Sequence, residues 1–295
     1  MSALTLINAR LGAEAQALQT LYVEDGRFVS APGAGAEILD LQGKLLLPGL
    51  VETHIHLDKA CIMQRCQLSE GTLAEAIAQT RSAKADFTEA DVYQRGAQVL
   101  EKAITQGTTH MRTHVEIDPQ IGLTGFNAVR RLQADYAWAI SLETCVFPQE
   151  GLLNNPGTEA LLCEALEMGA EVLGGCPYTD ADPGAQIRRL FELAVEFDRD
   201  LDFHLDFDLN PEGMTIGEVI RCTHQHGWAG RVTIGHVTKL STLPGTPCWR
   251  LPSRWPRPAC RSPACRVPIC FSPAVSTSTT GPAAWRPCST CMPVA

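Results

Sequence analysis

No aspartate or glutamate follows Glu218 in this sequence of 295 residues. From residue 241 to the end there is also no lysine and no histidine, yet that stretch holds 11 of the 19 prolines, six of the 12 cysteines and three of the five tryptophans. Neither the strand period nor the helix period survives in it, and proline interrupts every candidate element. Three readings compete. A disulfide-rich secreted module sits poorly behind a body with the composition of a cytoplasmic protein. A disordered proline-rich arm would be poor in cysteine and tryptophan. A frame-shifted reading of a GC-rich gene yields Pro, Arg, Ala, Ser, Cys and Trp, which is what is present. One permitted choice of codons for residues 257–287, read two bases on, gives ordinary strand–loop–helix text with balanced charge. We therefore expect 241–295 to be a Pro/Cys/Arg-rich tail, frame-shifted and disordered.

Other absences narrow the function. No run of about 18 apolar residues exists, so no membrane span is expected. The N-terminus Met1-Ser2-Ala3-Leu4-Thr5-Leu6 lacks the basic flank and apolar core of a signal peptide. The net charge of -9 argues against nucleic acid and anionic membrane as partners. Cys61, Cys66, Cys145, Cys163, Cys176 and Cys222 contain no metal-type CxxC and read as buried thiols. Cys288 and Cys291 form a CxxC with no second pair and no histidine after His236, a poor zinc site. A cytoplasmic protein is expected, with small molecules as partners and a homo-oligomer left open.

What is present is a hydrophobic content of 45% and a regular alternation of elements. Residues 1–44 read as a small β unit with strands at 4–9, 20–29 and 38–41 and an Asp25-Gly26 turn. From residue 45 to 240, strands alternate with helices. The apolar run Leu45–Leu50 reads as a buried strand that delivers His54 and His56 to its end. Further strands are expected at 109–116, 137–147, 172–178, 201–208 and 231–237. Helices are expected at 72–84, 88–105, 124–133, 156–168, 184–197 and 215–226, several opened by Ser or Thr. Six such units predict an α/β fold, a (β/α)8 TIM-type barrel left incomplete, since a full barrel has eight.

In a strand, residues two apart face the same way, so His54 and His56 project together and make half of a metal site. His204, from the fifth strand, can supply a third imidazole. His236, from the sixth, can hydrogen-bond a water or substrate there. Asp206 shares a strand face with His204 and offers a proton-carrying carboxylate. His114 reads as a hydrogen-bonded core histidine. His224 and His226 read as surface groups complementing a helix C-terminus, and His110 as a strand-start residue.

Leu47-Pro48-Gly49-Leu50-Val51-Glu52-Thr53-His54-Ile55-His56-Leu57-Asp58 resembles the first-strand signature of the amidohydrolase superfamily. The blocks Arg112-Thr113-His114-Val115, Phe147-Pro148-Gln149-Glu150-Gly151, Gly169-Ala170-Glu171-Val172-Leu173-Gly174, Asp202-Phe203-His204-Leu205-Asp206 and Gly235-His236-Val237-Thr238 extend the resemblance to its cytosine deaminase branch. The resemblance covers about residues 45–240. It implies a metal-dependent hydrolase of a non-peptide C–N bond, acting on a heterocycle or cyclic amide. It matches His54, His56 and His204 to the ligands of one divalent ion, Zn or Fe(II). It matches His236 to the histidine that contacts water and substrate, and Gln149 to a glutamine that reads a pyrimidine's amide edge. The fourth strand offers no bridging lysine, which favours one metal ion. Where that branch carries a glutamate three residues after the fifth-strand histidine, this chain has Phe207, so Asp206 or Asp208 has to substitute or the substrate differs. The eighth-strand aspartate of the family has no counterpart. The alternative reading is therefore a truncated, catalytically dead product that keeps a partial metal site.

Overall fold

The computed structural model describes residues 3–12, 17–67, 69–242 and the backbone of 269–270. The expected tail therefore lies outside the described residues, except for its first two residues and the pair Ile269–Cys270. The chain divides into two compact units, one of residues 1–147 and 160–171, the other of residues 148–159 and 172 onward.

The first unit opens with strands β1 (Leu4–Leu11), β2 (Gln19–Glu24), β3 (Arg27–Val29), β4 (Glu37–Asp40) and β5 (Leu45–Leu46). They form one sheet ordered β3-β2-β1-β4, with β5 also pairing β1. The β2–β3 hairpin turns at Asp25 and Gly26, with φ of 52° and 73°. Two positive φ values match the twist of the flanking strands, the reason an Asp-Gly pair signals such a turn.

Three parallel strands follow in this unit: β6 (Leu50–Ile55), β7 (Thr108–Glu116) and β8 (Ser141–Phe147). Between β6 and β7 run helices α1 (Leu73–Lys84) and α2 (Glu89–Thr105), and α3 (Thr124–Asp135) joins β7 to β8. Thr72 and Thr88 cap α1 and α2 by accepting the backbone N–H of Glu75 and Asp91 through their hydroxyls, the start signal expected of those residues. The core between strands and helices is drawn from Val92, Leu100, Val115, Phe126, Val129 and Leu132.

Two expectations are corrected in this unit. The apolar run 45–50 is not the buried strand. Only Leu45–Leu46 pairs with β1, Pro48 and Gly49 interrupt the run, and the histidine-bearing strand begins at Leu50. Leu47, Leu50 and Val51 are 60%, 54% and 63% exposed. Pro48 cannot donate to a ladder, and Gly49 approaches Thr109 so closely that a Cβ would lie 2.2 Å from its Oγ1. The third parallel strand starts at Ser141, not at 137. Residues 136–140 wrap the end of α3, with the N–H of Ala139 and Ile140 both bonded to Tyr136 O.

Helix α4 (Thr158–Glu167) follows β8. The second unit holds β9 (Val172–Gly175), α5 (Pro183–Glu196), β10 (Asp200–Leu205), α6 (Ile216–His226), β11 (Val232–His236) and β12 (Ile269–Cys270). Its ladders are parallel, β9 and β11 flanking β10 and β12 pairing β11. Asp182 caps α5 with Pro183 in its first turn, and Gly227 ends α6 at φ 66°, the left-handed stop that glycine adopts without strain. The fold class is α/β, of the incomplete (β/α)8 type: β6 to β11 are the six parallel strands expected, each pair of successive strands separated by helix. No helix among the described residues is long and apolar enough to cross a membrane.

Candidate metal centre

The first unit gathers three imidazoles. His54 lies within β6, His56 one residue beyond its end, and His114 near the end of β7. The His54 and His114 rings stack with centroids 4.1 Å apart. His56 meets His54 edge-on at 5.3 Å and His114 at 5.6 Å. His54 and His114 each offer a ring nitrogen within 4.8 Å of the other's. Phe147, from the end of β8, walls the cluster at 5.6 Å from His56 and 6.1 Å from His114. His114, expected as a core histidine, is fully buried yet packed into this cluster. Its sequence signals are its place late in a strand, in phase with Arg112 and Glu116, and its membership of the block Arg112-Thr113-His114-Val115.

Charge around the cluster is organised by Asp58, Lys59 and Glu116. Burial, followed by the charges of Lys59, His114 and His54, holds His56 well below the usual imidazole value. A neutral imidazole is the ligating form. Burial and then Glu116 push Asp58 up to about 6. Burial alone would lower the Lys59 ammonium, but Glu116 and Asp58 more than offset it and hold it above the usual value. Lys59 pairs with Glu116 and lies over the Phe147 ring at 5.7 Å.

The second unit brings His204 and His236 together. His204 is buried on β10, and His236 ends β11 opposite Leu205. Their ring centroids are 5.3 Å apart. Phe207 stands edge-on to His236 at 4.2 Å and stacks on Tyr178 at 6.3 Å. Three non-glycine residues at these strand ends adopt positive φ: Asp206 at 47°, His236 at 66° and Val237 at 49°. For a β-branched valine this conformation is strained, and such strain collects at functional sites.

Asp206 is buried just past β10. Its Oδ1 accepts from Thr215 N at 2.8 Å and Thr215 Oγ1 at 2.9 Å, and its Oδ2 from Ile216 N at 3.1 Å. It thereby fastens the start of α6. Asp208 is the more exposed carboxylate of the same segment and pairs with Lys239 at 3.2 Å. Gln149 is half-buried and donates through Nε2 to Cys176 Sγ at 3.3 Å. The loop after it is held by Asp180, whose carboxylate accepts the N–H of Leu152, Leu153 and Asn154. His224 lies exposed at the end of α6, and His226 stacks on Phe191 at 5.6 Å. His110 is exposed, with Nδ1 3.0 Å from Thr109 Oγ1.

The donor set suits a borderline divalent ion. The imidazoles cluster at parallel-strand ends, the His56 ring is held neutral, and nitrogen donors are those Zn and Fe(II) accept. In parallel-strand folds of this type, sites gather at that C-terminal end.

Residues 37–127 match the family model described as amidohydrolase family. The 5-methylcytosine deaminase of Klebsiella pneumoniae, solved with 5-fluorocytosine, is 30% identical, with a TM-score of 0.75 over 81% of this chain and 60% of its own. The N-isopropylammelide isopropylaminohydrolase of Burkholderia multivorans is 31% identical, with a TM-score of 0.72 over 82% of this chain and 63% of its own. A pterin deaminase of Rhizobium rhizogenes is 29% identical over 75% of this chain and 52% of that protein. The chain spans about half the length of the curated relatives it matches. Together with the histidines at the ends of β6, β10 and β11, these likenesses support a place for the chain in the amidohydrolase superfamily.

Proposed function

We propose that the chain carries part of the catalytic barrel of a metal-dependent hydrolase that cleaves a non-peptide C–N bond in a small heterocycle or cyclic amide. His54, His56 and His204 are the proposed ligands of one divalent ion, Zn or Fe(II). The observation that carries this reading is the imidazole cluster of the first unit, His54, His56 and His114 gathered at the ends of two neighbouring parallel strands. The likeness to deaminases and an aminohydrolase of nitrogen heterocycles supports the substrate class.

A bound cation of this kind supplies Lewis acidity and brings the pKa of a water to about 7. The chain's own residues do the rest. His236, at a strained strand end beside His204, is assigned to accept a proton from water and return it to a leaving nitrogen. Asp206 is the carboxylate assigned to proton carrying; it also accepts from Thr215 and Ile216 and so fastens the start of α6. Gln149 is assigned to hydrogen-bond the amide edge of the substrate, and Phe207 and Tyr178 form an apolar wall on which a flat ring can stack.

A second reading, a catalytically dead product that retains part of the metal site, is favoured by one observation. The sequence has no carboxylate after Glu218 to serve as the aspartate that the family resemblance calls for on the eighth strand. We further propose that residues 241–295 are a frame-shifted tail. Expression of the chain beside a frame-restored version, with metal content and ammonia release measured over pyrimidines, triazines and cyclic amides, tests all three points. Metal in both chains with turnover only in the restored one supports the truncation reading. Turnover in the chain as given overturns it, and metal in neither overturns the site.

A further inference from the structure

Lys84, the last residue of α1, is buried among carboxylates. Its Nζ lies 2.7 Å from Glu116 and 3.0 Å from Asp118, and all three side chains are at most 2% exposed. Lys59 gives Glu116 a second ammonium partner. Asp58, also buried, accepts the backbone N–H of Lys59 and of Glu116. Lys84 and three carboxylates thus share one buried region, with the partly exposed Lys59 as a further cation. Apolar side chains of similar volume would fill such a space at lower cost, and the best-attested use of buried ionic groups is to specify geometry.

The geometry at stake is that of the imidazoles. The β6–β7 ladder shifts register between Glu52 and Ile55, and its last pair is Ile55↔Thr113. The segment that carries His56 continues past that pair. There, side chains tie it to β7. Leu57 donates its N–H to Thr113 Oγ1 at 3.0 Å, and Asp58 Oδ2 accepts Glu116 N–H at 2.9 Å. Arg95 holds the same segment from α2 by donating to Asp58 O at 3.0 Å and Ala60 O at 2.6 Å. Glu116 therefore has two functions at once. Its backbone anchors the segment after His56, and its carboxylate is gripped by Lys84 and Lys59. Asp118, the other partner of Lys84, turns the chain after β7 by accepting Gln120 N and Ile121 N.

We propose that Lys84 is a positioning residue: through Glu116 and Asp118 it fixes the end of β7 against residues 56–58 and so sets the spacing of His54, His56 and His114. The inference deepens the metal reading above and rests on it only for the effect on metal affinity. The influence of Lys84 passes through Glu116 N–H and the Asp58 carboxylate.

The test compares the parent chain with Lys84→Met, Glu116→Gln and the double variant. Two quantities are read: amide hydrogen exchange in metal-free protein, and zinc affinity by chelator competition. In Lys84→Met, exchange at Leu57 and Glu116 should rise about tenfold or more, while Phe203 of the second unit changes less than about twofold. Zinc affinity should fall by about tenfold to a hundredfold, the scale seen when a ligand's supporting partner is lost. The double variant, which removes one unbalanced carboxylate, should recover part of both losses. If Lys84→Met does not fold, Glu116→Gln carries the test with the same two readouts. Exchange that rises uniformly in both units, or that leaves Leu57 and residue 116 unchanged, overturns the proposal. A parent chain that binds no zinc overturns the metal reading instead, and the exchange measurement still decides the role of Lys84.

Discussion

The ring of His114 stacks on that of His54, centroids 4.1 Å apart and planes 28° apart, although the two residues come from different strands. His114 thus supports the ring of a proposed ligand from behind. His114→Ala should lower unfolding free energy by roughly 2–3 kcal/mol, the scale for emptying a large buried side chain. It should also weaken zinc binding. His54→Ala should abolish metal uptake with a smaller stability loss, since His54 is only half-buried. Urea titrations of the metal-free variants, paired with metal analysis, separate the two effects. Equal metal content in His114→Ala and the parent would remove His114 from the site.

Asp206 is predicted to show a split between structure and chemistry. Its oxygens receive three hydrogen bonds from Thr215 and Ile216, so Asp206→Asn turns at least one acceptor contact into a clash of donors. A loss of about 1–3 kcal/mol is expected from breaking such buried bonds. If Asp206 also carries protons, turnover by a frame-restored chain falls in Asp206→Asn far beyond what its folded fraction explains. A turnover that simply tracks the folded fraction would confine Asp206 to holding α6.

Asp91 sets an acid limit on the first unit. Its hydrogen bond to Arg65, followed by that to Arg95, brings its carboxyl down to about 2. A carboxylate with a lowered folded value stabilises above its unfolded value, near 4. That contribution is lost as the pH falls through about 2. The pair is partly open to solvent, so we expect about 1 kcal/mol, less than the shift alone would imply. Asp91→Asn should flatten the stability profile between about pH 4 and 2, and unfolding curves at stepped pH with low salt provide the check. A parent profile already flat in that window would contradict the assignment.

Gly175→Ala is predicted to be among the more damaging small substitutions. A Cβ there would lie 2.5 Å from Phe203 Cδ1 and 2.7 Å from Leu190 Cδ1. Both neighbours are fully buried, so neither can swing away. Overpacking of this kind costs about 1–3 kcal/mol. Thermal unfolding should show a clear drop in Tm, and Gly217→Ala, with open space around it, serves as the control.

Much of this arrangement is legible in the residues alone, where the chemistry is local. Thr72 and Thr88 open helices because a hydroxyl satisfies an otherwise unbonded N–H. Asp25-Gly26 turns a hairpin because both residues tolerate positive φ. His54 and His56 stand out because a two-residue spacing keeps them together. What stays hidden depends on partners distant in sequence. Lys84 is readable only as the last residue of a helix, and its ion pairs are with Glu116 and Asp118, 32 and 34 residues away. His114 looks like core until the register of β6 on β7 brings it to His54. The run Leu45–Leu50 looks like a buried strand by hydropathy, but Pro48 and the close approach of Gly49 to Thr109 break it. The engagement of Asp206 by Thr215 was likewise unreadable, since the loop between them has no period.

The exposed start of β6 has a practical consequence. Among the described residues this strand lies at the end of its sheet, with Leu50 and Val51 exposed beside Leu47. Exposed apolar side chains at a sheet's edge recruit foreign strands. We therefore expect self-association through this edge to grow with concentration. Yield in the soluble fraction should thus fall as synthesis speeds up. A single charged gatekeeper, such as Val51→Lys, would be the first change to make before any attempt to concentrate the protein.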